Sequence, residues 1–376
     1  MAFAEHESGS DGSGRSGVAQ GYARITGPCG FAFPADHGSH PDHRTEWWYW
    51  TGNLEDRQGN SYGFQLTFFR RRLAPPTADR QWPEPSSTWR ASQLYMAHAA
   101  LSALGPREHL TAQDMARGAA GLAGVAHETA PVGTDDEAVR IFLKGWSASI
   151  GADRQELRVR TGDFALHLGL SPEKPPVAHG QDGYSKKGRR PESASCYYSF
   201  TRLRAEGSIE MNGRTMDVSG LAWMDHEYSS ELLEADLVGW DWLSLQFDDQ
   251  TELMAFFLRD GLEAGSHASS GSFVQPDASP IQLGQDDMLL TVLDYWTSPH
   301  TGARYPSGWR LEIPGLVLDV TIRPAMADQE MRTGKTTGVI YWEGSVRAEG
   351  TVRGRPVHGR GYVEMTGYAG SFDTPL

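Results

Sequence analysis

The second half of this 376-residue chain repeats the first in the same order, and that repeat limits what it can fold into. Trp48-Tyr49-Trp50 and the later Phe68-Phe69-Arg70 return as Trp240-Asp241-Trp242 and Phe256-Phe257-Leu258-Arg259. Leu166 to Pro172 returns as Leu318 to Pro324. Arg204-Ala205-Glu206-Gly207, followed by Gly213-Arg214 and Gly220, returns as Arg347-Ala348-Glu349-Gly350, followed by Gly354-Arg355 and Gly361. Matched blocks in one order imply a duplicated domain. Length agrees, because a single core usually stops growing at roughly 250 to 300 residues. We expect a first domain over 22–230 and a second over 231–376, behind a polar, Gly/Ser-rich tail over 1–21 that stays disordered.

Each copy reads as strands. Trp47 to Leu54 and Tyr62 to Arg70 are apolar, aromatic runs joined by a polar turn, which predicts a hairpin. Residues 74–90 are a Pro-rich loop, Ser92 to Leu101 is a strand, and the Ala/Gly-rich Gly105 to Thr134 is a connection with room for a short helix. Further strands are expected at 139–143, 148–150, 156–160 and 164–170, before a long hairpin over 197–210 and 214–225. Meanders of this length usually close on themselves, because closure removes exposed sheet edges. The prediction is all-β, two tandem antiparallel β-barrels packed side by side, with a pair of β-sandwiches as the alternative.

Thirty-four Lys and Arg against 48 Asp and Glu leave a net charge of −14, which disfavours nucleic acid and anionic membrane as partners. A hydrophobic small molecule is the expected partner, and a monomer the expected state. No apolar run is long enough for a transmembrane span, and the first twenty residues lack the apolar segment of a secretory signal, which points to a cytoplasmic protein, or a secreted one whose signal has been trimmed. Cys29 and Cys196 lie far apart outside any metal-binding spacing and read as plain thiols. No phosphate loop, dinucleotide fingerprint or G-x-S-x-G elbow is present, so no cofactor is expected and serine-hydrolase chemistry lacks support.

The chemistry concentrates in Trp223-Met224-Asp225-His226-Glu227-Tyr228, at the end of the long hairpin. Acid, imidazole and acid in succession cost stability unless used or paired. Extending the repeat from Gly220 and Gly361 sets Asp225, His226 and Glu227 opposite Thr366, Gly367 and Tyr368, so the fold does not demand the acids. Strand alternation points Asp225 and Glu227 to one side and His226 to the other. Among aromatic rings, burial should raise the Asp225 pKa and make it a general acid. The plainer reading is a strand end salt-bridged to Arg202 or Arg204. His37, His40, His43 and Glu46 have imidazole and carboxylate chemistry suited to a metal, but Gly38 and Pro41 oppose the helix their spacing would need, so no metal is expected. They are expected instead to cap the pocket or pair with Asp225 and Glu227. Candidate catalytic residues are Asp225, His226, Glu227 and Glu46; Trp48, Trp50, Tyr198, Trp223, Trp240, Trp242, Tyr341 and Trp342 are candidates for binding substrate. With Trp48, Trp50, Trp240 and Trp242 plugging both barrels, the pocket should lie between them, Asp225 and Glu46 on one wall and the neighbourhood of Tyr341 and Trp342 on the other.

Thr45 to Gly52, Gly63 to Arg70, Trp223 to Glu227 and Gly239 to Trp242, with Ala327 to Glu330, Tyr341 to Gly344 and Gly359 to Tyr362, resemble the lipocalin-like family of carotenoid 1,2-hydratases and AttH proteins, to which lipocalin-like Diels-Alderases are related. The resemblance runs from about residue 30 to 370. It implies two linked lipocalin-like barrels, no cofactor, and members that hydrate terminal isoprenoid double bonds. It also implies that Asp225 matches the proposed proton donor of the hydratases. Trp223 stands where those enzymes carry Tyr, and the stretch from Cys196 to Tyr198 lacks their upstream His and Trp. The function expected is acid-assisted hydration or cyclisation of a long unsaturated isoprenoid or polyketide, with a pericyclase or a non-catalytic carrier of hydrophobic ligands as alternatives.

Overall fold

A computed structural model of the chain describes residues 21–84, 87–129, 137–231, 234, 236–260 and 269–370; apart from Gly21 the expected N-terminal tail lies outside them. The protein is almost all β, in two sheets. The first comprises β1 (Thr45–Asp56), β2 (Ser61–Arg72), β3 (Gln93–Ala103), β4 (Glu108–Arg117), β5 (Ala123–Thr129), β6 (Glu137–Leu143), β7 (Trp146–Ile150), β8 (Gln155–Arg160), β9 (Phe164–Pro172), β10 (Val177–Ala178), β11 (Tyr184–Lys186), β12 (Ala194–Met211) and β13 (Arg214–Ser229). The second comprises β14 (Gly239–Phe247), β15 (Glu252–Arg259), β16 (Ser270–Val274), β17 (Pro280–Gly284), β18 (Leu289–Thr297), β19 (Arg304–Ile313), β20 (Leu318–Pro324), β21 (Glu330–Arg332), β22 (Ile340–Val352) and β23 (Arg355–Thr366).

The repeat is visible in the ladders. The first sheet runs β4-β3-β2-β1-β13-β12-β9-β8-β7, extended by β6 and β5, and the second runs β17-β16-β15-β14-β23-β22-β20-β19-β18. Each curls into a barrel or half-barrel around its own core, which is the tandem lipocalin-like arrangement. Gly207 and Gly350 occupy matching places: a Cβ on either would fall 2.1 Å from the carbonyl oxygen of His167 or Asp319 on the neighbouring strand. That close approach is why Arg-Ala-Glu-Gly recurs. The Ala/Gly-rich stretch forms β4 and β5 rather than a helix within its described residues, because pairing with β3 and β6 outweighs composition.

Alternation sorts β1 into two faces. Trp48, Trp50 and Leu54 point into the first core with Phe64, Leu66 and Phe68 of β2. Tyr49 points outward and packs with Tyr197, Trp223, Trp242, Phe256 and Tyr362, in a cluster drawn from both sheets. Here the Trp-x-Trp match misleads: Trp48 and Trp50 face a barrel interior, whereas Trp240 and Trp242 face the seam. A one-residue slip in register turns every side chain to the other face. Trp240 and Trp242 therefore do not plug the second barrel.

The sheets are joined by buried polar contacts. Gln246 Nε2 donates to the carbonyls of Thr201 (2.8 Å) and Ala222 (2.9 Å), and Asn53 Nδ2 donates to Gly361 (3.2 Å). Glu252 is wholly buried and held by Lys174 Nζ (2.7 Å) and Arg202 Nε. Arg202, a partner expected for Asp225, is thus used to tie the halves together. Cys29 and Cys196 form a disulfide across 167 residues of sequence, which corrects the reading of plain thiols. Such separation hides a pair from sequence inspection; here β12 and the lead-in segment bring the two together.

Candidate functional site

Asp225 lies at the seam, 4 % exposed, opposite Tyr49 of β1 and Ser199 of β12. Its Oδ2 accepts from Tyr197 Oη (2.8 Å), and its Oδ1 from Trp223 Nε1 (2.6 Å) and Ser199 Oγ. Tyr197 Oη in turn accepts from Trp242 Nε1 of the second sheet at 3.1 Å. All these donors are neutral. Burial pushes the Asp225 carboxyl up to about 7 against their hydrogen bonds, with Glu227 adding to the rise. Glu227 is paired with Lys187 Nζ at 3.1 Å, and Lys187 lies 4.0 Å from the centroid of the Phe256 ring.

The second domain brings acids of its own. Glu343 and Glu364 are cross-strand partners on β22 and β23. Burial raises Glu364 to about 7, with Asp225 and Glu227 adding, and burial and Glu364 push Glu343 well above the usual carboxylate range. Thr366, Gly367 and Tyr368 remain the residues matched to Asp225, His226 and Glu227, while Glu364, two residues before Thr366, brings an acid of the second copy near Asp225. Trp240 Nε1 donates to Glu364 Oε2 at 3.3 Å, and Trp47, Leu237 and Trp240 form the half-buried rim of the cluster.

On the opposite face of β1 and β13, Glu46 is wholly buried. Its Oε2 accepts from Arg70 Nε (2.6 Å), while His40 Nδ1 (2.8 Å) and His226 Nε2 (2.9 Å) both meet Oε1. Burial alone would raise this carboxyl, but Arg70 and the two imidazoles outweigh it and hold Glu46 well below the usual range. His226 Nδ1 is 3.1 Å from Tyr198 Oη, which lies 2.7 Å from His37 Nδ1. Glu46, His40 and His226 set ligand atoms within 4.8 Å of one another, as around a metal, yet Arg70 already supplies the counter-charge. The His-rich segment pairs with Glu46, Asp36 and Tyr198 and not with Asp225 or Glu227.

A family model for AttH-like proteins matches residues 24–368. The chain belongs to the AttH-like family. Among solved structures, a Nitrosomonas europaea protein assigned as an AttH is 33% identical, with a TM-score of 0.77 over 92% of this chain and 99% of that one. Kievitone hydratase of Nectria haematococca is 14% identical, with a TM-score of 0.65 over 93% and 98%, and CghA is 12% identical, with a TM-score of 0.55 over 93% and 99%. No curated protein matches.

In this AttH-like protein the expected residues divide between the two faces. Asp225, Glu227, Trp223, Trp240, Trp242 and Tyr341 face the seam, Tyr341 against His98 Nδ1 at 2.9 Å. Glu46, His226, Trp48, Trp50 and Tyr198 face the other way, so Glu46 does not share a wall with Asp225. Trp48 stacks on His226 at 4.8 Å, Trp50 Nε1 donates to Gln155 Oε1 (2.7 Å), and Trp342 lies in the second core. Tyr197, read only as part of the aromatic setting, and Ser199, His179, Glu343 and Glu364 are not among the residues expected at the site. Alternation from Tyr198 could have found Tyr197 and Ser199; the others depend on how the sheets meet.

Proposed function

We propose that this AttH-like protein is a hydratase or cyclase that protonates a carbon–carbon double bond of a long hydrophobic substrate at the seam. The observation that carries the reading is Asp225: a buried carboxyl raised to about 7, held by neutral donors and surrounded by indole and phenol rings. Near neutrality such a group is both populated as an acid and strong enough to give up its proton. The proton would pass from Asp225 to an alkene carbon, and positive charge would develop on the neighbouring carbon. Trp223 and Trp242 rings would steady it, by about 0.5 to 2 kcal/mol per contact. Water adding to that carbon gives hydration, with loss of its extra proton; attack by a second double bond gives cyclisation and moves the positive charge to a new carbon, which then loses a proton or takes up water.

The fold is one that kievitone hydratase shares, so the scaffold is compatible with hydration. Glu343 and Tyr49 Oη are buried together at the seam and bear on each other, which sets a second raised carboxyl close to Asp225. Substrate would reach Asp225 past Trp47, Leu237 and Trp240. The disulfide favours an oxidising compartment over the cytoplasm. The reading is tested by incubating the protein with a panel of terminal isoprenoid alkenes and prenylated phenols in deuterium- and oxygen-18-labelled water. Label in the product that disappears with Asp225→Asn supports it. Product formed without solvent label would indicate a pericyclic reaction, and ligand returned unchanged a carrier.

A further inference from the structure

An acid that is 4 % exposed needs a route by which its proton is restored. From Asp225 Oδ1 a chain of hydrogen bonds leads through Ser199 Oγ to His179 Nε2 (2.6 Å), and from His179 Nδ1 to Ser272 Oγ (2.9 Å) and Gln282 Oε1 (2.8 Å). Gln282 is exposed, whereas Ser199, His179 and Ser272 are each 1 % exposed or less. His179 follows β10 and is fixed by its backbone N–H on the Tyr197 carbonyl (3.0 Å), while Ser272 and Gln282 come from β16 and β17. The chain therefore starts in one domain and reaches solvent through the other.

We infer that His179 is a relay that returns protons from solvent to Asp225 through Ser199 and Ser272. The inference rests on the reading of Asp225 as the acid, and it concerns how that acid is reset. A neutral imidazole carries one N–H, so the chain has two arrangements. With Asp225 ionised, His179 Nε2–H donates to Ser199, Ser199 donates to the carboxylate, and Ser272 donates to Nδ1. With Asp225 protonated, every donor reverses: Asp225 to Ser199, Ser199 to Nε2, Nδ1–H to Ser272, and Ser272 to Gln282.

The reset balances. Ser199 gives its hydroxyl proton to Asp225 and takes the one on His179 Nε2, Nδ1 takes the proton of Ser272, and Ser272 takes one from a water molecule admitted beside exposed Gln282, whose amide oxygen accepts from Ser272 and passes no proton itself. One proton enters and no bond other than O–H and N–H changes. His179 is kept neutral by burial and by Lys187, which hold it down to about 3, so it changes tautomer without becoming a lasting cation. The charged or titratable groups around the path are Lys187, Glu227, Tyr197 and Tyr49 beside it in the first domain and Glu364 across the seam.

The test needs no substrate. Trp223 Nε1 bonds to Asp225, so protonation of the carboxyl changes indole fluorescence, and Asp225→Asn identifies that component. In a stopped-flow jump from about pH 8 to pH 6, across the raised midpoint, the intact protein re-equilibrates quickly. His179→Ala and Ser272→Ala should slow the change by about 10²-fold, the low end of what a positioned proton-transfer group supplies, with the end-point amplitude preserved. Added imidazole should restore the rate in His179→Ala. An unchanged rate in either variant, or an altered end point at an unchanged rate, would overturn the relay. Loss of fold is recognised separately by far-ultraviolet circular dichroism; Ser272→Ala, in the other domain, then decides. If the relay holds while Asp225→Asn leaves labelled product unchanged, the acid reading fails and the relay does not; the reverse pattern removes only the relay.

Discussion

Asp225 and Glu46 are both buried carboxyls on the paired strands β13 and β1, on opposite faces, yet their environments act in opposite directions. Every donor to Asp225 is a neutral hydroxyl or indole, so desolvation prevails and the proton is retained. Glu46 meets a guanidinium and two imidazoles, so the charge is retained. Burial sets how costly a charge is, and the charge of the partners decides whether it is kept. One face is thus suited to giving up a proton and the other to holding segments together.

The largest effect that would separate them is on turnover. Asp225→Asn should lower formation of solvent-labelled product by about 10²- to 10⁴-fold while leaving the urea midpoint close to that of the parent, because the amide keeps the shape of a group that is already half protonated near neutrality. Retained turnover would break the functional side of the comparison.

Glu46→Gln should show the reverse. It leaves Arg70, which is 0 % exposed, without its counter-ion, and removing one partner of a buried pair costs about 3–5 kcal/mol. Urea unfolding should register that loss, and exchanging Arg70→Met together with Glu46→Gln should recover much of it, since the uncompensated charge is then gone. A single variant as stable as the parent would show that Glu46 is not the anchor its partners imply.

Much of this contrast was legible in the strand pattern, and part was not. Alternation places Asp225 and Glu227 opposite to His226, and an acid among Trp and Tyr signals desolvation. Glu46 was misplaced because its wall depends on register with β13, where it pairs with Tyr228 and shares a face with His226. The Trp-x-Trp repeat was real as sequence but one residue out of phase as structure, so Trp48 and Trp242 serve different surfaces. The disulfide, His179 and Glu364 arise from contacts between segments far apart in the chain, for which neither spacing nor composition carries a local signal.

The next effect is on stability against pH, where the two carboxyls have opposite signs. Asp225 binds its proton more tightly folded than unfolded, so between its ordinary value of 3.8 and about 7 the folded state carries the extra proton, and stability falls as pH rises through that window. Glu46 binds its proton less tightly folded; its contribution is present above its ordinary value of 4.5 and is lost as pH falls below it. Urea midpoints measured from about pH 3 to 8 should therefore lose part of their downward slope toward neutrality in Asp225→Asn, with Asp241, Glu252, Glu343 and Glu364 contributing to what is left, since all four are raised as well. Glu46→Gln should instead flatten the acid limb. The same flattening from both variants would show that the two sites are not electrostatically distinct.

The smallest effect tests whether the neutral side of the comparison works as a chain of dipoles. Trp242 Nε1 donates to Tyr197 Oη, which donates to Asp225 Oδ2, so Trp242 bears on the acid without touching it. A hydroxyl that accepts a hydrogen bond donates a stronger one, by about 10–30% in condensed-phase estimates. Trp242→Phe keeps an aromatic ring at the seam and removes only that donor, at a cost of about 1 kcal/mol in stability. Tyr197 then holds the carboxylate less firmly, and the Asp225 midpoint should rise by about 0.1 to 0.2 pH, the value of 10–30% of one hydrogen bond. Carbon-13 NMR of labelled aspartate, assigned with Asp225→Asn, can read such a change. Trp48→Phe is the matching control: its Nε1 bonds to the His37 carbonyl on the opposite face, so the Asp225 midpoint should stay where it is. A fall with Trp242→Phe would mean that water entering the seam, rather than the lost dipole, governs the acid, and an equal shift with Trp48→Phe would mean that the two faces of β1 are coupled through the sheet.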